Sequence, residues 1–183
     1  RMITLPDDNT WPVFLTDLAV METDIDNAKS LLDSDPTNQT YIDEHGGLMA
    51  EYCNYIDHAM EYFYHDSTYS YDSVITLLDS TKYVSDYKYK LVWMLIEDSQ
   101  TSEAASEFTA IISNPSIEFT AYDSAHYYDM EELVDIAIDL RNSGRTWKEL
   151  TGTERLNIDS IADEPYGIAG GVAQVIVNEA DST

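Results

Sequence analysis

His58, Glu61 and His65 are the residues of this chain whose types and spacing come closest to a reaction centre. They stand at i, i+3 and i+7 along and just beyond the run HGGLMAEYCNYIDHAMEYFY, so a helix there would turn all three to one face. Two imidazoles and a carboxylate can hold zinc and leave a coordination position open, which would make the protein a metal-dependent enzyme. Against that stands the missing HExxH arrangement, and His65 falls where the helix would fray. Surface or structural histidines account for the same residues with fewer assumptions. The reading adopted is therefore no catalytic residue, no cofactor and no metal ligand, in a protein that is not an enzyme.

Other chemistry is scarcer still. The chain holds no nucleophile elbow, phosphate-binding glycine loop or dinucleotide fingerprint. Carboxylate pairs are so frequent that none singles out a general acid and base. DIDNAK (24–29) and DSDPTN (33–38) loosely resemble calcium loops but lack the central glycine and the closing glutamate. They offer weak sites for divalent cations at most. Cys53, the sole cysteine, can form no internal disulfide, and its apolar neighbours mark it as a small buried residue.

The elements that must carry these side chains are helices. Apolar residues recur at i, i+3, i+4 in TWPVFLTDLAVMET, where Pro12 suits a first turn, and in a short second helix, IDNAKSLLD. The pattern continues in the HGGLMAEYCNYIDHAMEYFY run and in DSVITLLD, SDYKYKLVWMLIED, SEAASEFTAIISNP and DSAHYYDMEELVDIAIDLRNSG. It closes with TGTERLNIDSIADEP and YGIAGGVAQVIVNEA. Alternating strand patterns are scarce. Slid over itself by about 77 residues, the chain places Phe14, Leu15, Leu18 and Ala28 on Leu91, Val92, Leu95 and Ala105; by about 84, Val74 and Leu78 fall on Ile158 and Ala162. The expected fold is all-α, an α-solenoid of about eight helices in tetratricopeptide-like stacked hairpins. It forms a single module over 1–183 with approximate units 10–84 and 85–178. Ala28, Ala104, Ala105, Gly167, Gly170, Gly171 and Ala173 are expected at close helix crossings, with Gly170 and Gly171 both facing a neighbour. Most of the fourteen tyrosines are expected to line the core edge.

Bulk charge narrows the partners. Thirty-five acids against nine bases give a net charge of −26 over 183 residues. Such a surface repels phosphate backbones and anionic lipid, which argues against nucleic acid. No apolar run has membrane-spanning length, so no membrane insertion is expected. The sequence begins and ends abruptly, as a fragment of a longer chain would.

The stretch LRNSGRTWKELTGTERLNIDSIADEPYGIAGGVAQVIVN resembles a region of large secreted proteins of Bacteroidota. There a helix ends in Gly and a basic residue, a Trp and an acidic turn follow, and a helix with Ile-Ala-Asp precedes a Gly- and Ala-rich one. Gly144, Arg145, Trp147, Leu150, Glu154, Ile161, Ala162, Asp163, Gly167, Ala169 and Ala173 carry the match. Upstream, YKLVWMLIEDSQTSEAASEFTAIISN is similar to the tetratricopeptide-like hairpin of the same proteins. In them this region typically precedes a C-terminal sorting domain for type IX secretion, a domain not present in this sequence. The resemblance implies an extracellular or cell-surface location and a non-catalytic scaffold or spacer. Its partners would be other proteins of a surface assembly or the rest of its own chain.

The resemblance also gives meaning to a recurring triplet. Secreted proteins of that phylum are O-glycosylated at Asp, then Ser or Thr, then a small or aliphatic residue. Six triplets fit, at Ser67, Ser73, Ser80, Ser124, Ser160 and Ser182, where composition alone would give roughly one or two. Helix N-capping is the competing explanation. It suits Asp72-Ser73 and Asp123-Ser124, but not Asp66-Ser67 or Asp159-Ser160, the latter inside an expected helix that should bury Ile158, Ile161 and Ala162.

Overall fold

A computed structural model describes residues 11–65, 71–117, 121–164 and 167–182, with backbone alone for 11–13, 62–65, 71 and 121–125. Among these residues the chain is all-α, with eight α-helices, one 3-10 turn and no strand. None of the helices is long and apolar enough to cross a membrane. The helices pack as hairpins in two compact units, Arg1–Ser80 and Thr81–Thr183.

In the first unit, α1 (Trp11–Ser34) and α2 (Gln39–His65) form a hairpin, followed by α3 (Tyr71–Asp79). The break expected before IDNAKSLLD does not occur. No Gly or Pro interrupts the sequence from Val13 to Ser34, and Phe14, Leu18, Ile25 and Ala28 continue one buried stripe along a single helix. DIDNAK therefore lies inside α1 rather than in a loop. Pro36 enforces the stop that follows. Asn38 starts α2, its Oδ1 accepting from the Thr40 N–H at 3.1 Å, while Asp35 accepts from the Thr37 hydroxyl.

The hairpin core is aromatic. Phe14 stacks on Tyr55 with centroids 4.5 Å apart and planes 3° from parallel. The Tyr52 hydroxyl donates to the buried carboxylate of Glu22 at 3.3 Å. Tyr52, Tyr55, Ile56, Ala59 and Met60 make the buried face of α2, all of it in the second half of the helix.

The second unit packs α4 (Ser85–Glu97) on α5 (Thr101–Ser113), and both on α6 (Ala121–Ser143). It closes with a 3-10 turn (Trp147–Glu149), α7 (Gly152–Ala162) and α8 (Ile168–Asp181). Tyr87, Tyr89 and Tyr127 are buried, as are Tyr52, Tyr55 and Tyr83 in the chain before them, so among the described residues tyrosine mainly fills the core. Phe108 of α5 stacks on Tyr127 of α6 at 4.8 Å. Ala104 and Ala173 are fully buried, whereas Ala105 is exposed.

Two helix ends share one device. At the end of α6, Gly144 has φ +69 and the Arg145 N–H bonds back to Leu140 O at 2.9 Å. At the end of α4, Ser99 has φ +66 and the Gln100 N–H reaches Leu95 O at 2.8 Å. Both are Schellman closures, which favour glycine at the left-handed position. The serine at the second is held by its hydroxyl, which accepts from Arg141 Nε at 3.0 Å.

Candidate functional site

Among the described residues, a dense polar network lies where α6, the 3-10 turn and α7 meet. Once Gly144 ends α6, Arg145 is turned onto Glu154 of α7. It donates from both terminal nitrogens, at 3.0 and 2.8 Å, and also to Asp139 at 2.6 Å. Glu154 simultaneously completes a capping box at the start of α7. It accepts from the Thr151 N–H at 2.6 Å while its own N–H reaches the Thr151 hydroxyl at 3.3 Å. The Arg145 hydrogen bonds first, and the Thr151 N–H next, hold the Glu154 carboxyl down at about 2. A second fork runs from Arg155 to Asp181 at 2.7 and 3.0 Å, with Asp159 at 2.8 Å, and ties α7 to the end of α8. Arg155 in turn lowers the Asp181 pKa.

This network suits a structural clamp better than a reaction. A carboxyl titrating near 2 is too weak a base for proton transfer near neutral pH, and guanidinium does not deprotonate. The residues that carried the sequence resemblance occupy this corner. Gly144 and Arg145 form the turn, Glu154 the cap, and Ile161, Ala169 and Ala173 the buried contacts of α7 and α8.

The α7–α8 turn adds a different cluster. Gly167 has φ +119 and ψ 160, a region open essentially to glycine alone. A Cβ placed there would come within 2.6 Å of Cε1 and Nδ1 of His126. The imidazole of α6 thus fills the space a side chain would need. Nδ1 of His126 is 3.8 Å from Oδ2 of Asp129, one turn along α6. With Glu164, just past the end of α7, these form a group whose ligand-capable atoms all lie within 4.8 Å of one another. Gly170, next along, is buried, and a Cβ on it would stand 2.9 Å from the Glu164 carbonyl oxygen. Gly171 is exposed with open space around it, contrary to the expectation that both glycines face a neighbour: one residue further round the helix it points away from α7.

Sequence reasoning passed over the His126 group because Glu164 reaches it only through the packing of α6 with α7 and α8. The i, i+3 pair His126 and Asp129 was the only local signal. Of the three residues on α2, His58 and Glu61 are exposed, and His58 Nδ1 lies 2.7 Å from Asn54 O on its own helix. The His65 side chain lies outside the described residues. Cys53 is half-buried, less enclosed than its neighbours suggested.

The triplet serines fall in varied places. Ser160 lies inside α7 and faces solvent, while Ile158 and Ile161 are buried, Ala162 is half-buried and Asp159 binds Arg155. Ser182 is exposed beyond α8, its hydroxyl donating to Glu179 O at 2.7 Å. Ser80, half-buried, follows α3 and donates to Thr76 O at 2.8 Å. Ser73, half-buried, is the third residue of α3. Ser67 and the Ser124 side chain lie outside the described residues. Ser80 and Ser182 thus sit just past helix C-terminal ends and Ser160 in the last turn of α7, positions that N-capping does not explain.

Comparison with known proteins returns no matching family model, no matching curated protein and no matching solved structure.

Proposed function

We propose that this chain is a non-catalytic helical-repeat module of an exported bacterial surface protein, serving as scaffold or spacer and carrying O-linked glycans at Asp-Ser-X triplets. Its partners on this reading are other proteins of a surface assembly or the remainder of its own chain. The observation that carries the proposal is Ser160. Its triplet stands in the last turn of α7, its hydroxyl is exposed, and the residues beside it are fixed by burial of Ile158 and Ile161 and by the Arg155 bridge. A bulky hydrated glycan can be carried there without disturbing the core.

Peptide mass spectrometry on protein from its native host tests the proposal. Hexose-containing mass is expected on Ser160 and Ser182 first, with the half-buried Ser73 and Ser80 modified less. Finding every triplet serine bare, together with recovery of the protein from the cytoplasm, overturns it.

A further inference from the structure

The geometry points to a divalent transition-metal site, formed by His126, Asp129 and Glu164, that ties α6 to the turn between α7 and α8. The three come from two separate stretches of chain, and packing brings their ligand atoms within 4.8 Å of one another. His126 is placed by its helix on one side and by Gly167 on the other, where a Cβ would collide with the ring at 2.6 Å. Only a residue that tolerates φ +119 leaves that room, so the backbone at Gly167 and the seat of the imidazole are one feature. The His126 and Asp129 side chains are 17% and 31% exposed. Glu164 is exposed, so the group opens to solvent on one side and an ion can enter.

Ligand type selects the metal. One imidazole nitrogen with two carboxylates suits zinc or a neighbouring first-row ion, whereas calcium and magnesium prefer all-oxygen shells. Around tetrahedral zinc, ligand atoms stand about 3.3–3.4 Å apart. The His126–Asp129 pair at 3.8 Å needs to close by only a few tenths of an ångström. Glu164 supplies the remaining movement, since its exposed side chain can swing inward. Three protein ligands leave a coordination position for water, so the ion exchanges more readily than in a closed four-ligand site. The competing account is a plain ion pair between protonated His126 and Asp129, with Glu164 a bystander.

Zinc titration of the metal-stripped 183-residue chain separates the two. It is done by calorimetry in high salt and excess magnesium, so that diffuse attraction to a surface of net charge −26 is saturated. One equivalent of zinc is expected per chain. His126→Asn, Asp129→Asn and Glu164→Gln should each weaken it at least about tenfold, while Glu51→Gln, an exposed carboxylate on α2, leaves it unchanged. Should His126→Asn fail to fold, Glu164→Gln decides the matter, because that side chain is exposed. No stoichiometric zinc under these conditions overturns the site, as does binding that survives Glu164→Gln or calcium that displaces zinc. None of these outcomes depends on glycans, so this site and the surface-scaffold reading fail separately.

Discussion

The Arg1–Ser80 and Thr81–Thr183 units carry a similar excess of acid but manage it by different means. The first has sixteen acids and only two bases, Arg1 and Lys29; the second has nineteen acids against seven bases. In the first, tyrosine hydroxyls meet carboxylates: Tyr52 donates to Glu22, and Tyr55 to Asp17 at 3.5 Å. In the second, arginines do so. Arg145 and Arg155 fork onto Glu154 and Asp181, whereas Arg141 donates to the Glu97 backbone carbonyl and the Ser99 hydroxyl at the end of α4. A phenol relieves a carboxylate without adding charge, and it also fills the core. A guanidinium neutralises and can bridge three elements, but it must be aimed, which is the service of Gly144 and the capping box. The second unit therefore depends on a few exactingly placed backbone positions that aim its arginines, and the first on hydroxyls carried by its tyrosine core.

The strongest test of that contrast is to substitute glycines of the second unit. Gly170→Leu should cost about 1–3 kcal/mol through overpacking, because even its Cβ would stand 2.9 Å from the Glu164 carbonyl, a backbone atom that cannot swing aside. Gly167→Ala should cost about 1–3 kcal/mol in backbone strain, with displacement of the His126 ring added. Urea unfolding of both variants, with hydrogen exchange read separately over each unit, checks this. Loss of protection confined to α6–α8 supports the contrast; unchanged midpoints would remove its basis.

How much of this was legible in sequence follows the range of the interaction concerned. The inward face of α2 was readable because Tyr52, Tyr55, Ile56 and Ala59 obey the helical period and need no knowledge of a partner. Ile158 and Ile161 were readable for the same reason. The continuity of α1 was missed because polar residues between its two apolar groups look like a linker, although Ile25 in fact keeps the phase of Leu18. Gly171 was misassigned because a glycine cluster signals closeness without saying which members are close. The approach of Glu164 to His126 and Asp129 and the Arg155–Asp181 fork were invisible, since each joins residues that only tertiary packing brings together. The pattern on α2, His58 with Glu61 and His65, attracted notice for the opposite reason: its spacing is local.

The units should also differ at low pH. Glu154 has its pKa lowered from 4.5 to about 2 by Arg145 and Thr151. A carboxyl depressed by folding contributes its full stabilisation above pH 4.5 and loses it as pH falls toward 2. Asp181, lowered by Arg155, acts in the same direction. Exchange protection over 139–181 should therefore decline through that window, and Glu154→Gln should flatten the decline. At the alkaline end the sign reverses. Burial, reinforced by Asp17, raises Tyr55 from 10.0 to about 12, so its contribution holds below pH 10 and is lost as pH rises through 12. Tyr127 is raised chiefly by burial as well, so both units weaken in base. An acid decline that Glu154→Gln leaves intact would mean the fork is ornamental.

The smallest effect has the opposite sign and belongs to the first unit. Gly46 and Gly47 lie within α2, in the half of that helix where no residue is buried, and a Cβ at either position meets nothing within 4 Å. Neither has the positive φ that makes Gly167 irreplaceable. Glycine at such a site gains nothing from packing and leaves the unfolded chain more freedom than alanine would. Gly46→Ala and Gly47→Ala should each stabilise by about 0.4–1 kcal/mol, with exchange slowed over 39–50 and unaffected over the second unit. The pair of substitutions also calibrates the larger test, because the chemical change matches that of Gly167→Ala and only the surroundings differ. If alanine at 46 or 47 destabilised instead, another surface would have to cover that half of α2, and its glycines would then serve close approach as Gly170 does.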